Sequence, residues 1–123
     1  MIHLDTSALV DAITGARRSQ GKLRELADRG DLMSISAPVL YEWLRGPRSG
    51  EEIDAQELLF PSETAAAFGP GEAALAAELY RRVPRARARE FDLAVAACAI
   101  SQGAALWTLN RKDFEDIPGL TLI

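Results

Sequence analysis

Residues 93–100 form an unbroken run of eight apolar side chains, closed by Asp92 on one side and Gly103 a few residues beyond the other. A helix over 92–102 is therefore apolar on every face apart from its ends, and such a helix must be covered on more than one side. The run is far short of the roughly 20 residues that a membrane span needs, so the cover has to be protein. A chain of 123 residues can build one core of this kind but not two. A single domain with the 92–102 helix at its centre is the expectation.

The remaining elements supply the cover. Residues 2–5 read as a short buried strand, followed by a helix over 7–13 that Gly15 stops and a second over 22–29 that Gly30 stops. Residues 34–36 suggest another strand. Pro38 suits a first helical position and opens a helix over 39–45, which Gly46-Pro47 ends. A polar-faced helix follows over 51–59, with 58–60 as an alternative strand. Gly69-Pro70-Gly71 breaks the chain before a helix over 72–82, and residues 61–71 read as a loop. After Pro84 comes a loop or frayed helix end, then the central helix, a buried strand over 104–109 and an edge strand over 120–123. Short apolar strands alternating with helices predict an α/β domain over residues 1–123, with a mostly parallel central sheet of four to five strands and helices on both faces.

Charge narrows the function classes. The net charge is -4, yet Arg81, Arg82, Arg85, Arg87 and Arg89 crowd into nine positions. Without residues 81–90 the chain carries 9 basic and 17 acidic residues, an acidic body with one arginine-dense segment. Arg17, Arg18 and Lys22 make a weaker basic cluster. Cys98 is the sole cysteine and His3 the sole histidine, which excludes an intramolecular disulfide, a structural zinc site and a histidine-based triad. The N-terminus has no basic leader region, and a cytoplasmic setting without membrane insertion fits. Trp43, Trp107 and Cys98 read as packing residues, and His3 as a hydrogen-bonded core or edge residue.

Ligands of open α/β sheets collect at the carboxyl ends of strands. Asp5 ends the first strand there, Asn110 and Asp113 follow the 104–109 strand, Asp92 opens the helix before it, and Glu42 lies at the edge of an apolar helix face. Each acid has an ordinary alternative: Asp5 and Asp92 as helix caps or first-turn acids, Asp113 or Asn110 as a turn cap, and Glu42 as a solvated residue. Together they are a hard-cation donor set, because magnesium and manganese take oxygen ligands and carboxylates gathered without basic partners repel one another. An Asp-x-Asp phosphatase motif is absent at the first strand, where Asp5 is followed by Thr6 and Ser7.

Four blocks occur in order: Leu4-Asp5-Thr6-Ser7-Ala8-Leu9, Val39-Leu40-Tyr41-Glu42, Phe91-Asp92-Leu93-Ala94-Val95-Ala96-Ala97 and Thr108-Leu109-Asn110-Arg111-Lys112-Asp113-Phe114. In these the sequence resembles the PIN-domain ribonucleases, most closely the VapC-like toxins of toxin–antitoxin pairs. The resemblance implies that Asp5, Glu42, Asp92 and Asp113 are the acidic metal-site positions, for Mg²⁺ or Mn²⁺. It implies that Ser7 and Asn110, with Thr6 and Thr108 as weaker candidates, orient those carboxylates. It further implies RNA hydrolysis by a metal-activated water, a homodimer, and neutralisation by a cognate antitoxin protein. The sequence departs from many relatives at 84–90, where arginine replaces a short glycine-containing turn. Arg85, Arg87, Arg89 and Lys112 are the candidate RNA contacts, since arginine pairs bidentately with phosphate. The competing expectation is a catalytically silent PIN-like module that binds RNA or protein.

Overall fold

The computed structural model describes residues 1–14 and 19–123; the expected stop at Gly15 and the pair Arg17, Arg18 lie outside them. Three parallel strands, β1 (Ile2–Leu4), β2 (Met33–Ser34) and β3 (Ala105–Trp107), stand in the order β2-β1-β3. Ile2 pairs with Met33 on one side and with Ala105 on the other, so β1 is the central strand. All three of its residues are buried.

Six α-helices surround the sheet among the described residues: α1 (Thr6–Ile13), α2 (Ser19–Asp28), α3 (Ala37–Arg45), α4 (Gly50–Leu59), α5 (Pro70–Arg82) and α6 (Glu90–Ser101). The α/β class and parallel sheet are as predicted; among the described residues three strands form the sheet, where four to five were expected. The predicted edge at 120–123 joins by a single bridge, Leu106 with Leu122, held by Leu106 N–H to Thr121 O at 2.8 Å and Ile123 N–H to Leu106 O at 3.1 Å. A second bridge, Ser36 with Ala66, extends the β2 side from within the predicted 61–71 loop. Both are too short to form strands of their own.

The central helix is where the apolar run requires it. In α6, Leu93, Val95, Ala96, Ala97, Cys98 and Ala99 are all buried, and the helix packs against α5, α3 and β3 at once. Gly103 adopts a positive φ of 65°, the left-handed conformation that closes a helix at low cost for glycine. Its N–H reaches Ile100 O and the Ala104 N–H reaches Ala99 O at 2.9 Å, turning the chain straight into β3.

Several boundaries differ from the sequence reading for identifiable reasons. Helix α5 begins at Pro70, not at 72, because Gly69 is its N-cap and the proline fits the first helical position. Helix α6 begins at Glu90, which puts Asp92 inside its first turn rather than at its opening. Helix α4 starts with a reciprocal capping box, Glu52 N–H to Ser49 Oγ at 3.1 Å and Ser49 N–H to Glu52 Oε1 at 2.8 Å. It runs through Leu59, so 58–60 is not a strand. The arginine segment holds a 3-10 turn over Ala86–Arg89.

Trp43 and Trp107 pack in the core, and Arg48 lies 4.2 Å above the Trp43 ring. Burial pushes the Cys98 thiol up to about 11. His3 departs from expectation: both ring nitrogens are buried without a partner among the described residues. Burial, and then the charge of the N-terminus, hold its pKa below the ordinary value.

The packing of α6 gives a direct test. Leu93→Ala removes a side chain that is 1% exposed and should cost about 2–5 kcal/mol in urea denaturation. Leu58→Ala, at a position 83% exposed, should stay within about 0.5 kcal/mol of the parent.

Candidate functional site

Asp5 leaves the carboxyl end of β1 and serves as N-cap of α1: its Oδ1 accepts the Ala8 N–H at 2.9 Å and the Ser7 hydroxyl at 2.6 Å. Its other oxygen accepts the Thr108 hydroxyl. Asp5 is therefore a helix cap whose side chain also lines a cleft. Ser7 and Thr108 are fixed in turn. The Leu109 N–H donates to Ser7 Oγ at 3.0 Å, and the Asn110 N–H donates to Thr108 Oγ1 at 2.9 Å. With both hydroxyls receiving backbone protons, their own protons are directed to Asp5.

The strand order explains why these groups meet. The chain passes from β1 to β2 on one side and reaches β3 on the other. The carboxyl ends of β1 and β3 therefore flank the point where open α/β sheets form a crevice. Asp5, Glu42 and Asp92, from β1, α3 and α6, line one cleft of about 160 Å³ there, together with Thr6, Ser7, Asn110 and the aromatic rings of Phe91 and Phe114. Asp113 sits on a neighbouring cleft of about 260 Å³, lined also by Arg85, Arg89, Lys112 and Asp92. Asp92 is common to both.

The sequence expectations map onto this arrangement unevenly. All four acids and Ser7 come to the adjoining clefts. Thr108, ranked behind Asn110 from sequence, makes the direct bond to Asp5, while Asn110 enters through its backbone and as part of the cleft wall. The Thr6 hydroxyl is buried without a partner among the described residues. Glu42 is partly buried, as its wheel position suggested, and pairs with Arg45 at 3.2 Å. Of the basic candidates, Arg85, Arg89 and Lys112 line the Asp92–Asp113 cleft, and Arg87 is exposed on the 3-10 turn. Arg89 is turned to another use, bonding Asp116 and the carbonyls of Pro84 and Asp113. Lys22 lies 5.9 Å over the Trp107 ring.

Comparison with known proteins accords with this geometry. The sequence matches the profile of the PIN domain over residues 2–120. The chain belongs to the PIN-domain family. No curated protein matches it significantly in sequence. Among solved structures it is similar to a chain of VapBC2 from Rickettsia felis bound to a DNA fragment from their promoter. The two share 26% identity with a TM-score of 0.79, covering 100% of this chain and 98% of that one. A chain of DNA-bound VapBC from Salmonella typhimurium shares the fold at 23% identity and a TM-score of 0.73, covering 99% and 96% respectively. So does one of FitAcB from Neisseria gonorrhoeae, at 19% and 0.71, covering 100% and 97%.

Electrostatics make the crevice of this PIN domain receptive to positive charge. Asp92 is pushed up to about 6, first by burial and then by the negative charges of Asp113, Asp5 and Glu42, with Arg89 opposing. Burial also raises Asp5 above the ordinary carboxylate range, against the lowering effect of its hydrogen bonds from Ser7, Thr108 and Ala8. The donors are all oxygen, which fits a hard divalent cation. Among the described residues no three acidic, histidine or cysteine side chains form a ready-made metal cage. Asp5, Glu42 and Asp92 share one cleft, and Asp113 lines the adjoining one. No described helix is long and apolar enough to cross a membrane.

Sequence reasoning missed Phe91 and Phe114 as walls of the cleft, and Asp116 as the partner of Arg89 beside it. The phenylalanines stood inside the recognised blocks, but nothing linear marked them as cleft walls. Asp116 lies 27 residues from Arg89, a separation that carries no local signal.

Asp92 yields a pH prediction. Its pKa is raised on folding, so the associated stability is present below the unfolded value near 3.8 and is lost as pH rises through about 6. Asp92→Asn should flatten this part of the pH profile and raise metal-free stability at pH 7.5, solvent screening keeping the gain to about 1 kcal/mol or less. Chemical denaturation at pH 4 and pH 7.5 reads this out. Thr108→Val should instead cost about 1–2 kcal/mol at both pH values, since Asp5 and the Asn110 N–H each lose a partner.

Proposed function

We propose that this PIN domain is a divalent-metal-dependent endoribonuclease, the toxin of a toxin–antitoxin pair. The observation that carries the reading is the position of Asp92, shared between a cleft with Asp5 and Glu42 and one that brings Asp113 together with Arg85 and Lys112. Acids able to hold a cation thus adjoin bases able to hold the phosphates of the same strand.

Asp5, Glu42, Asp92 and Asp113 would hold Mg²⁺ or Mn²⁺. Such a cation supplies water activation near neutral pH and neutralises charge on the phosphodiester. Ser7 and Thr108 keep Asp5 oriented with its lone pairs presented to fixed donors. Arg85 and Lys112 attract the RNA backbone, and Arg87 extends that surface; without them the acidic body would repel a polyanion. The aromatic walls of Phe91 and Phe114 exclude water from one side of the acids and so strengthen their electrostatics.

The similarity to chains of VapBC complexes supports a cognate antitoxin protein as partner. Tyr41 and Leu44 are exposed on α3 beside Glu42, as are Leu58 and Leu59 at the end of α4, apolar surface of the kind that a protein partner covers. A homodimer and a cytoplasmic setting complete the reading.

Incubation of purified protein with total cellular RNA in Mg²⁺, Mn²⁺ or EDTA tests this. Asp92→Asn is the better control, because Asp5 also caps α1 and its substitution would confound folding with chemistry. Discrete fragments that require metal and fall at least about 100-fold in the variant are expected, with 5′-phosphate and 3′-hydroxyl ends. Cyclic 2′,3′-phosphate ends would overturn water as the nucleophile. RNA binding without cleavage by antitoxin-free protein would favour the silent module instead.

A further inference from the structure

Arg89 occupies the N-cap position of α6, and only 10% of its side chain is exposed. Nη1 donates to Pro84 O at 3.2 Å and to Asp116 Oδ2 at 2.9 Å. Nη2 donates to Asp113 O at 3.0 Å and to Asp116 Oδ1. Two parallel bonds to one carboxylate plus two to carbonyls use the guanidinium fork in a way that a point-charge ammonium cannot copy.

These contacts join three segments: the turn after α5, the start of α6 and the loop after β3. Asp92 lies three residues beyond Arg89 in the same first helical turn. Asp113 belongs to the loop and has its own carbonyl held by the same guanidinium. The two acids share a cleft but sit on segments with no hydrogen-bonded strand between them. The Arg89 charge is offset by Asp116, whose carboxylate lines neither acidic cleft. What the pair contributes is geometry more than field.

We infer that Arg89 and Asp116 form a positioning clamp that sets Asp113 against Asp92, so that both acids can serve one cation, and that Arg89 is not an RNA phosphate contact. The inference rests on the metal-dependent reading above.

Mn²⁺ binding to the full chain, followed by the loss of the free-ion electron paramagnetic resonance signal, tests it in Arg89→Lys, Asp116→Asn and the double variant. RNA affinity is measured alongside in EDTA. Each single variant should weaken Mn²⁺ binding by about 10-fold, the scale of outer-shell substitutions at metal sites. The double variant should lose no more than either single one, because the two side chains act as a unit. RNA affinity should change by less than about twofold in D116N and R89K alike. A phosphate contact would give the opposite pattern: R89K would lose RNA affinity and D116N would keep both affinities, which would overturn the clamp. Should R89K fail to fold, D116N alone carries the comparison. Mn²⁺ binding equal to the parent in a folded D116N sinks the clamp and leaves the metal reading standing. A parent chain that binds no Mn²⁺ sinks both.

Discussion

Burying the Asp5 carboxylate, only 5% exposed, would cost several kcal/mol if its charge lacked partners. Three donors, each worth roughly 1.5–3 kcal/mol to a charged acceptor, offset only part of that cost, since burial still leaves the pKa raised, and each also fixes part of the fold. The Ala8 N–H sets the entry of α1. The Ser7 and Thr108 hydroxyls join the end of β1 to the end of β3. Through Thr108 the Asn110 N–H is held as well, so the loop that delivers Asp113 hangs from the same carboxylate. Site and scaffold therefore share one set of hydrogen bonds.

Around that hub the charges divide by use. Asp92 is raised to about 6 by burial and then by three neighbouring acids, with Arg89 opposing. The arginines, uniform in sequence, separate in space. Arg89 is consumed in binding Asp116 and two carbonyls, while Arg85 and Lys112 form no ion pair among the described residues and border the acids. An acidic protein thereby keeps a small basic margin beside its acidic clefts.

Legibility followed the range of the forces involved. The apolar run 93–100 announced a helix covered on several sides, because hydrophobic burial depends on composition and period, both linear properties. The order of strands and helices was readable for the same reason. Strand number was not: the chain near Ala66 and Leu122 meets the sheet through single bridges, and pairing that short depends on where neighbouring backbone happens to pass. Helix starts erred at Pro70 and Glu90 since a cap is decided by one residue's side chain or φ angle.

The four acids, their order and their match to the PIN pattern were determined by sequence alone, because residue type and spacing encode which atoms can bind a cation. Tertiary structure decided how they are used. It made Asp5 both helix cap and cleft wall, bonded Thr108 to it directly, placed Asp92 between two clefts and buried most of the Arg89 side chain. Each of these depends on partners separated widely along the chain, as Arg89 and Asp116 are by 27 positions and Thr108 and Asp5 by 103. No local pattern specifies such pairs; the parallel order β2-β1-β3 creates them by bringing the ends of distant strands to one edge.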